Sequence, residues 1–277
     1  MTAHAEASRR PSFVPLLLAA HIGPSVAVTT VVALLCTAFD KSPGTVAVVT
    51  AAVFTGQLTI GWGNDLLDAS RDRTVGRSDK PLANGTLDAR FVQRCLVAAA
   101  VACVVLSMAA GWRSGLVHLF LGVAFGHLYN LVFKATPLSW LPYAIAFGCL
   151  PAVASLVGSS PEAPPVWMVL TASALGVAAH FLNTLPDFED DAATGIQGLP
   201  HRIGATASRV VATVLLVAAS AVAVLGPSGA PAAGAWTALG LVLVLALVAL
   251  LGRGKAPFYA AVVIALVDVV LLVVVAS

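Results

Sequence analysis

Two segments of this chain repeat one arrangement of oxygen-bearing side chains. Asn64, Asp68 and Asp72 stand in NDLLDASRD, and Asn183, Asp187 and Asp191 stand in NTLPDFEDD, so that both read Asn-x-x-x-Asp-x-x-x-Asp. Four residues turn a helix by about 400°, so each triplet forms one stripe wherever the helix persists. Carboxylates stacked at that spacing repel one another, which becomes tolerable when cations lie between them. Hard oxygen ligands paired across a cavity suit Mg²⁺, which keeps several waters and bridges protein carboxylates to substrate phosphates. Eight of the thirteen acidic residues fall within 64–85 and 183–191, a concentration that scattered solvated loop acids would not give. Asp68, Asp72, Asp187 and Asp191 are therefore the expected metal ligands, with Asn64, Asp65 and Asn183 as further oxygen donors. Asp65, Glu189 and Asp190 lie off the two stripes.

Arg73, Arg77 and Lys80 follow the first motif, ahead of Pro81-Leu82-Ala83-Asn84-Gly85. Cations beside an acidic cluster suit diphosphate oxygens, and they equally suit an ordinary interfacial loop. Pro186, inside the second motif, is expected to end or kink its helix, which lets loop groups converge on a ligand.

The elements that hold these motifs are membrane helices. The chain is 59% hydrophobic and only 10% charged, with a mean hydropathy of +0.94. Runs of roughly 20 apolar residues, enough to cross a core of about 30 Å, recur with short polar breaks. The expected spans are 13–37, 45–67, 91–111, 114–134, 138–158, 165–185, 204–226, 232–251 and 256–276, giving an all-α polytopic membrane protein of about nine helices. Residues 1–12 form an N-terminal tail and 13–277 one membrane domain. With the tail in the cytoplasm, most cations, among them Arg9, Arg10, Arg71, Arg73, Arg77, Lys80, Lys134, Arg202 and Lys255, fall on the cytoplasmic side, as the positive-inside rule requires. Both motifs then share that face of what is expected to be the plasma membrane. Asn64 lies about 19 residues from Thr45, roughly 28 Å of helix, so the first stripe begins at the membrane edge. A net charge of +2 gives no reason to expect nucleic acid as a partner. The cysteines Cys36, Cys95, Cys103 and Cys149 lie in apolar runs and read as packing residues, and Gly122 and Gly126 as a helix contact.

At NDLLDASRDRTVGRSDKPLANG and NTLPDFEDDAATGIQGLPHRIG the sequence resembles the UbiA superfamily of intramembrane prenyltransferases. The resemblance implies nine transmembrane helices around a central cavity open to the cytoplasm and the lipid. It implies that Asn64, Asp68, Asp72, Asp187 and Asp191 belong to a magnesium and diphosphate site, and that Arg73, Arg77 and Lys80 are diphosphate-binding cations. Tyr129 and Lys134, in GHLYNLVFKATPLSW, resemble the family's Tyr-x-x-x-x-Lys region beside the prenyl diphosphate. The sequence departs from the family pattern at Lys80, where Arg is commoner, at Ser78, where Thr is commoner, and at Thr184, where many members have Asp.

The expected activity is Mg²⁺-dependent transfer of a prenyl group from an allylic diphosphate to a small, aromatic acceptor. Metal and cations would draw off the diphosphate, and an apolar cavity would keep water from the allylic cation. Quinone precursors, other aromatic acids and non-aromatic lipids all fit as acceptors. A terpene cyclase would need the same diphosphate site and no acceptor. An ion-coupled transporter would instead carry ionisable groups near the bilayer midplane, where Asp268 is the clear acid and is read as hydrogen-bonded to a neighbouring helix. His118, His127 and His180 are read as packing or hydrogen-bonding residues, with His127 and His180 placed to line a cavity. The sequence does not reveal the oligomeric state.

Overall fold

The computed structural model describes residues 13–158, 160–186, 188, 191, 195–254 and 256–276. Among them every regular element is a helix. We number these α1 (Phe13–Ala19), α2 (Ile22–Ala38), α3 (Pro43–Thr74), α4 (Ala89–Ala110), α5 (Trp112–Phe133), α6 (Leu141–Ser155), α7 (Val166–Thr184), α8 (Leu199–Ile203), α9 (Ala205–Leu225), α10 (Ala233–Leu251) and α11 (Ala256–Ala276). Seven, α3 to α5, α7 and α9 to α11, are long and apolar enough to cross a membrane. The α1–α2 pair makes an eighth if counted as one span. The ninth expected span, α6, is shorter and is interrupted near Cys149. The protein is thus an integral membrane protein, and the nine expected segments all appear as helical units.

The first segment departs from the straight span expected over 13–37, because α1 and α2 meet at 70°. His21 turns the corner in the left-handed region, with φ 51° and ψ 53°. Pro24 has no N–H to continue the helical ladder back toward Ala20. Ser25 Oγ donates to the Ala20 carbonyl instead, and Trp62 Nε1 from α3 donates to Leu16 O, both at 3.0 Å.

Helix α3 starts on a Ser42 cap that accepts from Thr45 N, with Pro43 in its first turn. It runs for 32 residues, about 48 Å, well beyond a hydrocarbon core of about 30 Å. The expected boundary at 67 was too early because the polar motif continues the same helix. Helix α3 packs on α2, α4 and α5, α7 on α6 and α9, and α11 closes the bundle against α2 and α7. Small residues permit the closest crossings. A Cβ on Gly61 would lie 2.3 Å from the Ala20 carbonyl oxygen, and one on Gly126 would lie 2.4 Å from Ile60. Gly126 is therefore a helix contact, as expected, a Cβ on Gly122 would lie 3.7 Å from Cys149 Sγ of α6, and both glycines also border the central cavity.

Helix α5 contains two π-helical stretches, His118–Val123 and Tyr129–Phe133. In a pure α-helix, residues four apart drift by about 40° per step, so His118, Gly122, Gly126, Asn130 and Lys134 would fan through about 160°. The wider π turns take up that drift. All five line the cavity.

Asp268 in α11 is fully buried and hydrogen-bonded to Ser220 of α9, the inter-helix bond expected of it. All four cysteines are free thiols in or beside the apolar core.

Candidate functional site

A cavity of about 450 Å³ lies among α2, α3, α5, α6, α7 and the first turn of α11. Its interior is bordered by groups such as Val28, Val53, Phe147 and Leu150, and its mouth by charged residues. The α3 stripe supplies Asn64, Asp68 and Asp72, all facing the cavity. Asp68 and Asp72 are buried at 8% exposure each, so their charges are only partly solvated and need partners. Asp68 has two. Its Oδ2 lies 2.5 Å from Lys134 Nζ at the end of α5, and its Oδ1 lies 2.7 Å from Arg71 Nη2, one turn along α3. Asn64 is oriented by Asn130, whose Oδ1 accepts from Asn64 Nδ2 at 3.1 Å while its own Nδ2 donates to Ile60 O at 3.2 Å.

From across the cavity come Asn183 and Asp191. Helix α7 ends at Thr184, two residues before Pro186, so the break expected from proline is present. Asp187, Glu189 and Asp190 lie outside the described residues. Asp191 Oδ2 is 3.5 Å from His201 Nε2 of α8, and the His201 ring stacks on Phe188 with centroids 4.6 Å apart. Burial lowers the His201 pKa, with Asp191 opposing and the Lys134 charge reinforcing it.

Tyr129 also borders the cavity, edge-on to Tyr143 at 5.0 Å and to His180 at 5.6 Å. His180 is held by Ser139 Oγ at 2.9 Å, and that hydroxyl also accepts from Leu199 N at 2.9 Å. His127 meets Thr59 at 3.2 Å, and His118 meets Ser107 at 2.8 Å. Of these three histidines the cavity lining includes His118, where the sequence pointed to His127 and His180.

The three expected cations separate in the structure. Arg77 and Lys80 line the mouth, and Arg77 makes a two-pronged contact of 2.9 Å on each arm with Asp79, whose carboxyl it holds below the usual range. Arg73 is not part of the lining; its Nη2 donates to Leu82 O at 3.1 Å and so braces the 75–88 loop. Asp65 is likewise off the lining, paired with Lys80 and His21. The sequence reading missed Asn130, Arg71 and His21 as mouth residues. No residue pattern flagged Asn130, because the spacing of four from His118 to Lys134 lines up on one face only where π turns take up the drift.

Among the described residues no three His, Cys, Asp or Glu side chains form a ready metal cage. The donor set nevertheless fits a hard divalent cation. Asp68, Asp72, Asp191 and the Asn64 amide oxygen are oxygen donors at one mouth, and Mg²⁺ needs only one or two carboxylates when phosphates and waters complete its octahedron. Four cations, Arg71, Arg77, Lys80 and Lys134, border the same space and suit an anionic, oxygen-rich headgroup.

The site is thus an apolar cavity within a helical membrane bundle, with oxygen-donor and cationic side chains gathered at its mouth. The chain belongs to the UbiA prenyltransferase family, whose sequence profile matches residues 25–275. It is 32% identical over 176 residues to the digeranylgeranylglyceryl phosphate synthase of Methanopyrus kandleri, a match covering 62% of this chain and 61% of that protein. The chain thus spans about three fifths of the length of that relative. Its fold is similar to that of a UbiA homologue from Archaeoglobus fulgidus bound to GPP and Mg²⁺, with TM-score 0.69, 15% identity, and coverage of 94% of this chain and 99% of the other. The apo UbiA homologue from Aeropyrum pernix K1 gives TM-score 0.72 at 18% identity, covering 91% and 98%.

Proposed function

We propose that this protein is a Mg²⁺-dependent intramembrane prenyltransferase that moves a prenyl group from an allylic diphosphate to a small acceptor. The observation that carries the reading is the union, in one cavity, of the Asn64–Asp68–Asp72 stripe, Asp191 and four cations with an apolar interior. Family membership and the prenyl diphosphates and Mg²⁺ bound by the Archaeoglobus fulgidus homologue support it. Asp68, Asp72, Asp187 and Asp191 hold the metal, with Asn64 and Asn183 as supporting oxygen donors. Bound there, Mg²⁺ would neutralise charge on the departing diphosphate. Arg77, Lys80 and Lys134 bind the diphosphate oxygens, and Tyr129 flanks the allylic end. The apolar walls keep water from the cation formed as the C–O bond breaks, until the acceptor attacks.

Residues 13–277 act as one transferase domain, with its mouth and N-terminus on the cytoplasmic face of the plasma membrane. The acceptor is a small molecule, either an aromatic acid of the quinone-precursor type or a non-aromatic lipid, the second suggested by the glyceryl phosphate in the name of the Methanopyrus relative. Purified protein in nanodiscs, given allylic diphosphates of several lengths with each acceptor, should release pyrophosphate with Mg²⁺ and not with EDTA. Asp68→Ala and Asp187→Ala should abolish that release. Release without acceptor, yielding a cyclic hydrocarbon or alcohol, would replace the transferase by a cyclase. Folded protein that neither binds nor cleaves any prenyl diphosphate would refute the diphosphate site itself.

A further inference from the structure

Among the described carboxylates near the mouth Asp65 is the most deeply buried, 1% exposed, yet it does not border the cavity. Its Oδ1 lies 2.8 Å from Lys80 Nζ and 2.9 Å from His21 Nε2. A carboxylate oxygen can only accept, so His21 Nε2 must carry the proton it donates. It then cannot also accept from Lys80, and the 3.3 Å approach of those two nitrogens is one that their shared acceptor holds together. Asp65 Oδ2 is buried and meets no hydrogen-bond partner among the described residues, so Oδ1 carries the contacts that the structure shows for this carboxylate.

The three residues come from three different places: α3, the loop that follows it, and the α1–α2 corner. Both partners of Asp65 border the cavity where Asp65 does not. His21 also keeps a left-handed backbone, which is costly for a residue other than glycine and persists only where its surroundings fix it.

We propose that Asp65 is a positioning residue rather than a metal ligand: it fixes the Lys80 ammonium at the mouth, and through His21 the α1–α2 corner, so that Lys80 is presented to the diphosphate. The proposal rests on the transferase reading of the cavity, in which Lys80 binds diphosphate. Lysine is a flexible point charge, and a buried counter-ion holding one of its three N–H groups aims the others.

The test is a double-mutant cycle on purified full-length protein with two probes: Mn²⁺ followed by electron paramagnetic resonance, and a thiolodiphosphate analogue of geranyl diphosphate that cannot ionise. Asp65→Asn should weaken analogue binding by about tenfold, as loss of an outer positioning partner does, and leave Mn²⁺ affinity without analogue unchanged. Lys80→Met should weaken analogue binding at least as much, and adding Asp65→Asn to it should cost nothing further. If Asp65→Asn alone fails to fold, the Asp65→Asn/Lys80→Met pair, which leaves neither charge unpaired, is compared with Lys80→Met alone. Equal analogue affinity in wild type and Asp65→Asn, additive losses in the double variant, or loss of Mn²⁺ affinity in Asp65→Asn would each overturn the proposal. Wild type that binds no analogue would overturn the transferase reading and the positioning role with it.

Discussion

Replacing Gly61 with alanine tests how tightly the α1–α2 corner is clamped to α3. The added Cβ would stand 2.3 Å from Ala20 O and 2.6 Å from Ala20 C, where ordinary contact begins near 3.4 Å. The corner must therefore retreat by roughly 1 Å, and both atoms in the way are backbone, with no rotamer to escape into. Overpacking of this kind costs about 1–3 kcal/mol, and a rigid obstacle places it at the upper end. Alanine returns about 1 kcal/mol through helix propensity, leaving a net loss of about 2 kcal/mol. At the scale of a domain of this size that lowers the melting temperature by about 4–8 °C. Gly240→Ala in α10 is the matched control, since nothing lies within 4 Å of its Cβ; it should melt at or slightly above wild type. Thermal unfolding of the three proteins in one detergent measures both. A Gly61→Ala protein as stable as wild type would refute the close crossing, and with it the account of why the corner sits where His21 can reach Asp65.

Two more predictions concern the opposite wall and the mouth. Ser139→Ala removes the hydroxyl shared by His180 Nε2 and Leu199 N, and each buried group left unpaired costs about 1–3 kcal/mol, so the variant should melt well below wild type while the Mg²⁺ requirement persists. Lys134→Met removes a charge-assisted bond worth about 1.5–3 kcal/mol if the ammonium serves the diphosphate, so the KM for prenyl diphosphate should rise about 10–100-fold in steady-state assays, with Lys134→Arg losing less.

How much of this was legible in the sequence depended on whether a feature follows the default α-helical period. The Asn64–Asp68–Asp72 stripe obeys it, and all three residues face the cavity as the spacing required. The end of α7 was legible because proline at 186 cannot continue the ladder. The 70° corner was not, because it turns at His21, a residue type that enters the left-handed region more often than most but does not signal it as glycine does. The π stretches of α5 were hidden for a similar reason, since no residue type announces a π turn. Gly122 was accordingly taken only as a packing contact. Arg73 and Arg77 are indistinguishable as loop cations in a sequence, and only the fold shows one bracing Leu82 O while the other borders the cavity.

The length of α3 ties the depth of the chemistry to a count of residues. One unbroken helix carries the stripe from within the bundle to the mouth, so its register sets both how far out the carboxylates sit and which way they point. Inserting a single residue between Thr45 and Asn64 would move the stripe outward by about 1.5 Å but swing it by about 100°, off the cavity and away from Lys134. Inserting seven would restore the direction to within about 20° while carrying the acids about 10 Å further toward water. An engineer wishing to shift the carboxylates relative to the lipid would therefore have to lengthen or shorten this helix in steps near whole turns.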